Sequence, residues 1–295
     1  MPQRCYICDV ELVPIPRAHN GPLQDNHATR DHVPPDGLFC DPKPSNLITV
    51  PCCHKHNRKH SGVDERLRMF AALEIGRNEG GEKILSEKVF GSTLKKMRQP
   101  KFVTKIATTL RNETVATDKG PMPVAVFTVD GKEILECVAD ITRGLLRHFY
   151  PQFNYHGHDF MVVDIHSATL AKGARDAQLR LISEMVTKTQ GESRGNQSEF
   201  RFWRQIDERR EHGAWLLVFY ETVAFTVCHS KIPFRTLFEG HCQGKGRERV
   251  GPRIMTFSPD RFGGLGLGFE IQLSCQPGGC TSCACFRQGF GGQAA

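Results

Sequence analysis

The chain has 295 residues, of which 39% are hydrophobic and 24% charged, a composition typical of a globular protein with one large domain or two ordinary ones. Its longest apolar runs, such as residues 215–220, are far shorter than the roughly 20 residues of a membrane span. The net charge of +7 is compatible with polyanion binding but does not require it. No charged start followed by an apolar stretch opens the sequence, so we expect a cytoplasmic protein with reduced cysteines.

The cysteines are concentrated at the two ends of the chain. Of the twelve, five fall within the first 53 residues and four within the last 21. Residues 1–75 also contain many turn formers and only short apolar stretches, so a core there would be too small to fold without a metal ion. We therefore predict a first, metal-stabilised domain over residues 1–75.

Two ligand pairs within this segment have the spacing of a zinc site. Cys5 and Cys8 are separated by two residues, and Cys53 and His56 have the same spacing. Between Cys8 and Cys53 lie 44 residues. Two such pairs can bind one tetrahedral ion, and four protein ligands leave no position for substrate, so the predicted Zn²⁺ is structural. Cys52 and His54 are competing ligands, because they adjoin the second pair and leave its register open.

Between the ligand pairs lies a second pattern of polar residues. An acidic residue precedes a histidine at Asp31 and His32, Asn46 lies in the stretch Pro-Ser-Asn-Leu-Ile-Thr-Val-Pro, and Asn57 follows the second ligand pair. In order and spacing, residues 5–70 resemble the HNH, or ββα-metal, endonuclease family, in the zinc-bound branch that carries an additional C-terminal domain. The resemblance implies a small ββα nuclease domain.

The resemblance also implies roles for these residues in phosphodiester hydrolysis. His32 matches the general base that takes a proton from water. Asp31 matches a ligand of the catalytic divalent cation, and a carboxylate suits Mg²⁺ or Mn²⁺. Asn46 matches the asparagine that orients the base through hydrogen bonds.

Further cation ligands and phosphate contacts are expected at the start of the following helix. Asn57 matches the last letter of the family name and would supply a second ligand, and His60 or Ser61, one turn later, could complete the set. Many relatives have histidine rather than asparagine at the position of Asn57. Three basic residues beside them are predicted nucleic-acid contacts: Lys55, Arg58 and Lys59. By analogy with the family, the partner is double-stranded DNA.

The rest of the sequence predicts a linker, a second domain and a tail. Residues 76–114 form a basic helical linker, residues 115–257 an α+β accessory domain, and residues 258–295 a glycine- and cysteine-rich disordered tail. In the second domain we predict helices over 132–149 and 174–186 and strands over 124–129, 200–203, 215–220 and 223–228. A second zinc could bind to the four cysteines of the tail: Cys275, Cys280, Cys283 and Cys285.

Together these patterns predict an α+β protein that is a metal-dependent endonuclease acting on DNA. The leading alternative is a non-catalytic zinc-ribbon module that binds nucleic acid or protein. A third hypothesis places an enzymatic activity in the second domain, with the zinc segment as an accessory.

Overall fold

The structure, a computed structural model, describes residues 2–16, 21–73, 77–94, 100–117, 120–164, 172–195, 199–234 and 266–272. Helices and strands are both well represented, and a cluster of cysteine and histidine side chains lies near the N-terminus. The predicted α+β fold class is confirmed. Among the described helices, none combines the length and apolar character needed to cross a bilayer.

The N-terminal unit is a two-stranded hairpin followed directly by a helix. Strand β1 (Ala28–Val33) pairs antiparallel with β2 (Ile48–Cys53), and His32 lies opposite Thr49. Along β2 buried and half-buried residues alternate, which is the period-two pattern of a strand with one face on a core. Helix α1 (His54–Leu73) begins at the next residue and therefore continues the chain out of the hairpin.

The segment predicted as a basic helical linker is largely helical. It contains α2 (Glu79–Ile84), a π-helix (Leu85–Leu94) and α3 (Pro100–Thr109). Asn78 caps α2, because its side-chain oxygen accepts a hydrogen bond of 3.0 Å from the backbone N–H of Gly81.

A three-stranded sheet follows, and part of the predicted disordered tail belongs to it. Strand β3 (Arg111–Thr117) pairs antiparallel with β4 (Gly120–Asp130), and β10 (Gly266–Gln272) pairs parallel with the other edge of β4. The prediction of a disordered tail therefore does not hold for Gly266–Gln272. The four tail cysteines lie outside the described residues.

The largest sheet has five antiparallel strands in the order β5-β9-β8-β7-β6. These strands are β5 (Asp159–Asp164), β6 (Glu192–Arg194), β7 (Phe200–Ile206), β8 (His212–Phe219) and β9 (Val223–Ser230). Two helices accompany it, α4 (Gly131–Phe149) and α5 (Lys172–Lys188). The helices and strands predicted for this region from periodicity are confirmed, each within a few residues of its predicted bounds.

The N-terminal unit and the large sheet share one hydrophobic core. Helix α4 lies between them and contacts β1 and β2 on one side and β5 and β9 on the other. The helix approaches β1 closely at Gly144, where a Cβ atom would come within 2.5 Å of Val33 Cγ2. The rings of Phe70 in α1 and Phe225 in β9 add a further contact, with centroids 6.4 Å apart. The catalytic elements predicted from the sequence are thus packed against the larger part of the chain.

Candidate metal centre and adjoining cleft

Four side chains form a cluster with the composition of a structural zinc site. The ligand atoms of Cys5, Cys8, Cys53 and His56 all lie within 4.8 Å of one another. His56 Nδ1 lies 3.1 Å from Cys53 Sγ and 3.9 Å from Cys5 Sγ, distances compatible with ligands that share one tetrahedral ion. These residues could hold a metal ion, and three thiolates with one imidazole suit Zn²⁺.

The competing ligands Cys52 and His54 are not members of the cluster, so the register with Cys53 and His56 is the one the fold provides. Cys52 is fully buried, and its thiol hydrogen bond to Cys5 lowers the pKa of Cys5 to about 4. Burial raises the pKa of Cys53 to about 12. Because thiolates are the metal-binding form, loading the site with a cation must release protons.

A cleft open to solvent lies between β1, α1 and α4. Its lining includes Asp31 and His32 from β1 and Lys59 and Asp64 from α1. Helix α4 contributes the acidic residues Glu133, Glu136 and Asp140, and Tyr6 also lines the cleft. The cleft therefore contains the predicted base and the predicted cation ligand, and one of its walls is acidic.

Asp31 is held by a residue of the metal cluster's own loop. The hydroxyl of Tyr6, which lies between Cys5 and Cys8, donates a hydrogen bond of 2.8 Å to Asp31 Oδ2. Burial and the charge of Asp31 both raise the pKa of Tyr6, so the phenol keeps its proton and remains a donor. The tyrosine is almost completely buried, whereas His32 is half-buried at the edge of the cleft.

Asp64 adds a second carboxylate to the floor of the cleft. It lies on α1, and its Oδ1 is 3.6 Å from the thiol of Cys137 in α4. Burial and the negative charges of Asp64 and Asp140 raise the pKa of Cys137, so this thiol is protonated. On the opposite helix Glu133 forms an ion pair with Arg66 of α1, which ties the two walls together.

The other predicted site residues lie at different places around this centre. The Nδ2 group of Asn57 donates a hydrogen bond of 3.2 Å to the backbone carbonyl of Arg30. Asn46 Oδ1 accepts one of 3.3 Å from the backbone N–H of Gly195. Neither asparagine is among the described residues that line the cleft. His60 lies in α1, and its side chain is outside the described part of the structure.

Asn46 therefore differs from its expected role. The sequence predicts that Asn46 orients His32. In the structure, the side chain of Asn46 accepts a hydrogen bond from Gly195, in the loop before β7. The physical reason is its place in the loop between β1 and β2, which faces the larger part of the chain. In this position Asn46 secures the loop and not the base.

The three basic residues that the sequence predicts as phosphate contacts are solvent-exposed. Lys55, Arg58 and Lys59 are all exposed on the first two turns of α1. Of these, only Lys59 lines the cleft. It is thus the cation best placed to meet a phosphate that approaches His32.

Sequence reasoning missed Tyr6, Asp64 and the acidic face of α4. A tyrosine between two cysteines carries no signal for a partner 25 residues away. Asp64 has the helical spacing i, i+7 from Asn57, which could have placed it on the same face of α1 as that predicted ligand. The acidic residues of α4 have the pattern of an ordinary solvent-facing stripe.

No protein-family model matches the chain, and it has no significant match among curated proteins or solved structures. The resemblance to HNH endonucleases therefore rests on the residues and their spacing.

Proposed function

We propose that this protein is a divalent-cation-dependent endonuclease that hydrolyses phosphodiester bonds of DNA. The observation that carries the proposal is the presence of Asp31 and His32 in one cleft, beside a Cys/His cluster that joins the segment before β1 to the junction of β2 and α1. This is the arrangement implied by the resemblance to the HNH family.

His32 acts as the general base in the proposed reaction. Its imidazole takes a proton from a water molecule as that water attacks phosphorus, and the bond between phosphorus and the leaving oxygen breaks. The half-buried position of His32 leaves it accessible from the cleft. Lys59, on the α1 wall, contacts a phosphate of the substrate and holds the strand near the base.

The oxygen donors of the cleft fit a hard cation. Asp31 would hold Mg²⁺ or Mn²⁺ together with Asp64, because both line the cleft. Asn57 and His60 of α1 remain candidate ligands on the sequence resemblance alone. A bound divalent cation supplies charge neutralisation at the scissile phosphate and its leaving oxygen. It would also offset the repulsion between DNA and the carboxylates of α4.

A plasmid assay tests the proposal. The zinc-loaded protein is incubated with supercoiled DNA and either Mg²⁺ or Mn²⁺, and nicked and linear products are measured. We expect cleavage with the added cation, and a loss of about 100-fold or more in His32→Ala, the usual scale for removing a general base. The variant should keep its zinc content and circular dichroism spectrum. Equal cleavage by His32→Ala and the parent would reject the proposed role.

One observation favours a non-catalytic binding module as the second candidate. Three carboxylate residues of α4, Glu133, Glu136 and Asp140, line the cleft. Each pairs with a basic side chain, Arg66, Lys132 or Arg143, but the lining as a whole suits a protein better than a polyanion. A module of this kind would bind a protein with the same affinity before and after the His32→Ala substitution, and it would not cleave DNA under any cation condition.

A further inference from the structure

Tyr6 connects the two metal sites of the proposed enzyme. Its phenol donates a hydrogen bond of 2.8 Å to Asp31 Oδ2, and its backbone lies between the cluster ligands Cys5 and Cys8. Only 3% of the residue is exposed to solvent. A buried hydroxyl and a carboxylate on different segments are therefore joined directly.

We infer that Tyr6 is a positioning residue, which transmits the geometry of the Cys/His cluster to the cation-binding carboxylate of Asp31. This inference rests on the proposed function, in which Asp31 holds the divalent cation. It adds that the structural metal has a second task, because the loop it fixes also orients a ligand of the catalytic cation.

The backbone of Tyr6 is held on several sides. Its N–H donates to the carbonyl of Pro51 at 3.1 Å, and its carbonyl accepts a hydrogen bond of 3.0 Å from the hydroxyl of Tyr155. With the neighbouring cysteines drawn to one ion, the main chain at this position has little freedom. The buried ring has only two side-chain torsions, so the phenol oxygen is fixed as well.

A hydrogen bond to one oxygen of a ligating carboxylate sets the direction of its remaining lone pairs. A carboxylate has about four lone-pair sites, and a single hydrogen bond uses one of them. Partners of this kind typically change metal affinity by about 10- to 100-fold when they are removed. Loss of the Tyr6 hydroxyl should therefore weaken divalent-cation binding without removing a ligand.

The test measures Mn²⁺ binding to the zinc-loaded 295-residue chain. Electron paramagnetic resonance reports the concentration of free Mn²⁺ during the titration. Tyr6→Phe removes the hydroxyl, and Asp31→Asn replaces the charged carboxylate with a neutral amide, which binds a divalent cation more weakly. Tyr220→Phe is the matched control, because its buried hydroxyl also donates a hydrogen bond of 2.8 Å, to the carbonyl of Leu38. Zinc content, measured in each variant, shows whether the cluster is intact.

We expect Tyr6→Phe to raise the dissociation constant for Mn²⁺ by about 10-fold and Tyr220→Phe to change it by less than about twofold. If Asp31→Asn weakens Mn²⁺ binding but Tyr6→Phe does not, the role of Tyr6 is overturned and the proposed function stands. Binding that Asp31→Asn leaves unchanged would instead reject the cation site itself, and the role of Tyr6 with it.

A measurement on the unaltered chain covers the case in which Tyr6→Phe does not fold. Tyrosine labelled with ¹³C at Cζ reports on the phenol hydrogen bond, and the Tyr6 signal should shift as Mg²⁺ is added. The same titration of Asp31→Asn should leave the signal in place. A Tyr6 signal that does not respond to Mg²⁺ in the parent protein would overturn the inference.

Discussion

The ββα unit and the five-stranded sheet achieve their stability in different ways. The sheet has a core of large aromatic side chains, including Phe200, Trp215 and Phe219, all fully buried. The ββα unit buries few residues of that size, and the Cys/His cluster joins the segment before β1 to the junction of β2 and α1. Asp31 and His32, the predicted catalytic side chains, lie in the unit that contributes fewer large aromatic residues to the shared core. We therefore expect a bound metal ion to supply the stability that a larger hydrophobic core would otherwise provide, in the unit whose polar residues must remain accessible.

The two regions are nevertheless not independent. Tyr155 and Tyr220 of the larger region each donate a hydrogen bond to a backbone carbonyl of the N-terminal unit, those of Tyr6 and Leu38. Helix α4 supplies one wall of the cleft while packing on the sheet. The larger region thus supports the cleft, and substitutions can separate what each region contributes.

Removal of a cluster ligand should show the largest difference between the regions. In Cys53→Ala we expect zinc binding to be lost and the ββα unit to unfold, because a structural Zn²⁺ contributes on the order of 10 kcal/mol. Limited proteolysis should then cut within residues 21–73 and spare the sheet. Cys228→Ala in β9 is the control and should keep one zinc per chain by elemental analysis. Retention of zinc by Cys53→Ala would exclude the cluster as the binding site.

The contact between α4 and β1 tests whether the regions are coupled at the cleft. Gly144→Ala places a carbon atom within 2.5 Å of Val33 Cγ2, and overpacking of this kind costs about 1–3 kcal/mol. Because Val33 adjoins His32, cleavage should fall as well as the melting temperature.

Gly91→Ala provides the matched helical glycine, since its added carbon would come no nearer than 3.3 Å to a neighbouring atom. Gly144→Ala gains about 1 kcal/mol of α-helix propensity, which the contact with Val33 must outweigh. Gly91→Ala, in the π-helix, shows the effect of an added methyl group without that contact. Urea denaturation measures the free energy of unfolding of both variants. Equal values for Gly144→Ala and Gly91→Ala would show that β1 and α4 move apart to accommodate the added carbon at no cost in stability.

Local pattern predicted most of the elements, and long-range contacts account for what it missed. The alternation along β2 and the helical spacing of Leu67, Phe70 and Ala71 are visible in the sequence because each element repeats its own period. The partner of Tyr6 and the docking of α4 on Val33 depend on how elements pack, which periodicity does not encode. The glycines of Gly266–Gln272 offer no apolar face, so the sequence pattern predicts a tail there. The segment pairs with β4 through backbone N–H and C=O groups, which every residue except proline has and which the pattern therefore does not reveal.

The sheet should respond to pH through a buried histidine pair, which sharpens the contrast with the metal-held unit. Nδ1 of His229 lies 3.3 Å from Nδ1 of His158. Burial lowers the pKa of His229 to about 4, with His158 and His212 adding to the effect. The unfolded chain takes up the proton near pH 6.5, so the free energy of unfolding should fall as pH drops from about 6.5 to about 4, by at most about 1.4 kcal/mol per pH unit.

Urea denaturation at several pH values measures this dependence. His229→Gln, which has no titrating group at this position, should show a shallower fall over the same window, whatever other groups contribute. The same slope in both proteins would mean that the histidine pair does not set the acid sensitivity of the sheet. Zinc release measured in parallel distinguishes loss of the cluster from unfolding of the sheet.

The smallest expected effect concerns the cleft surface, where Lys59 on α1 faces the acidic wall of α4. If Lys59 contacts a phosphate, Lys59→Ala should reduce the slope of log affinity against log salt by about 0.9 and weaken DNA binding at low salt. Lys132→Ala is the control, because Lys132 is an exposed cation at the start of α4 that pairs with Glu136 at 4.0 Å. Removing Lys132 leaves Glu136 uncompensated and should not lower the salt slope. Equal slopes for Lys59→Ala and the parent would place the phosphate path elsewhere on α1, and the exposed Lys55 and Arg58 would be the next positions to test.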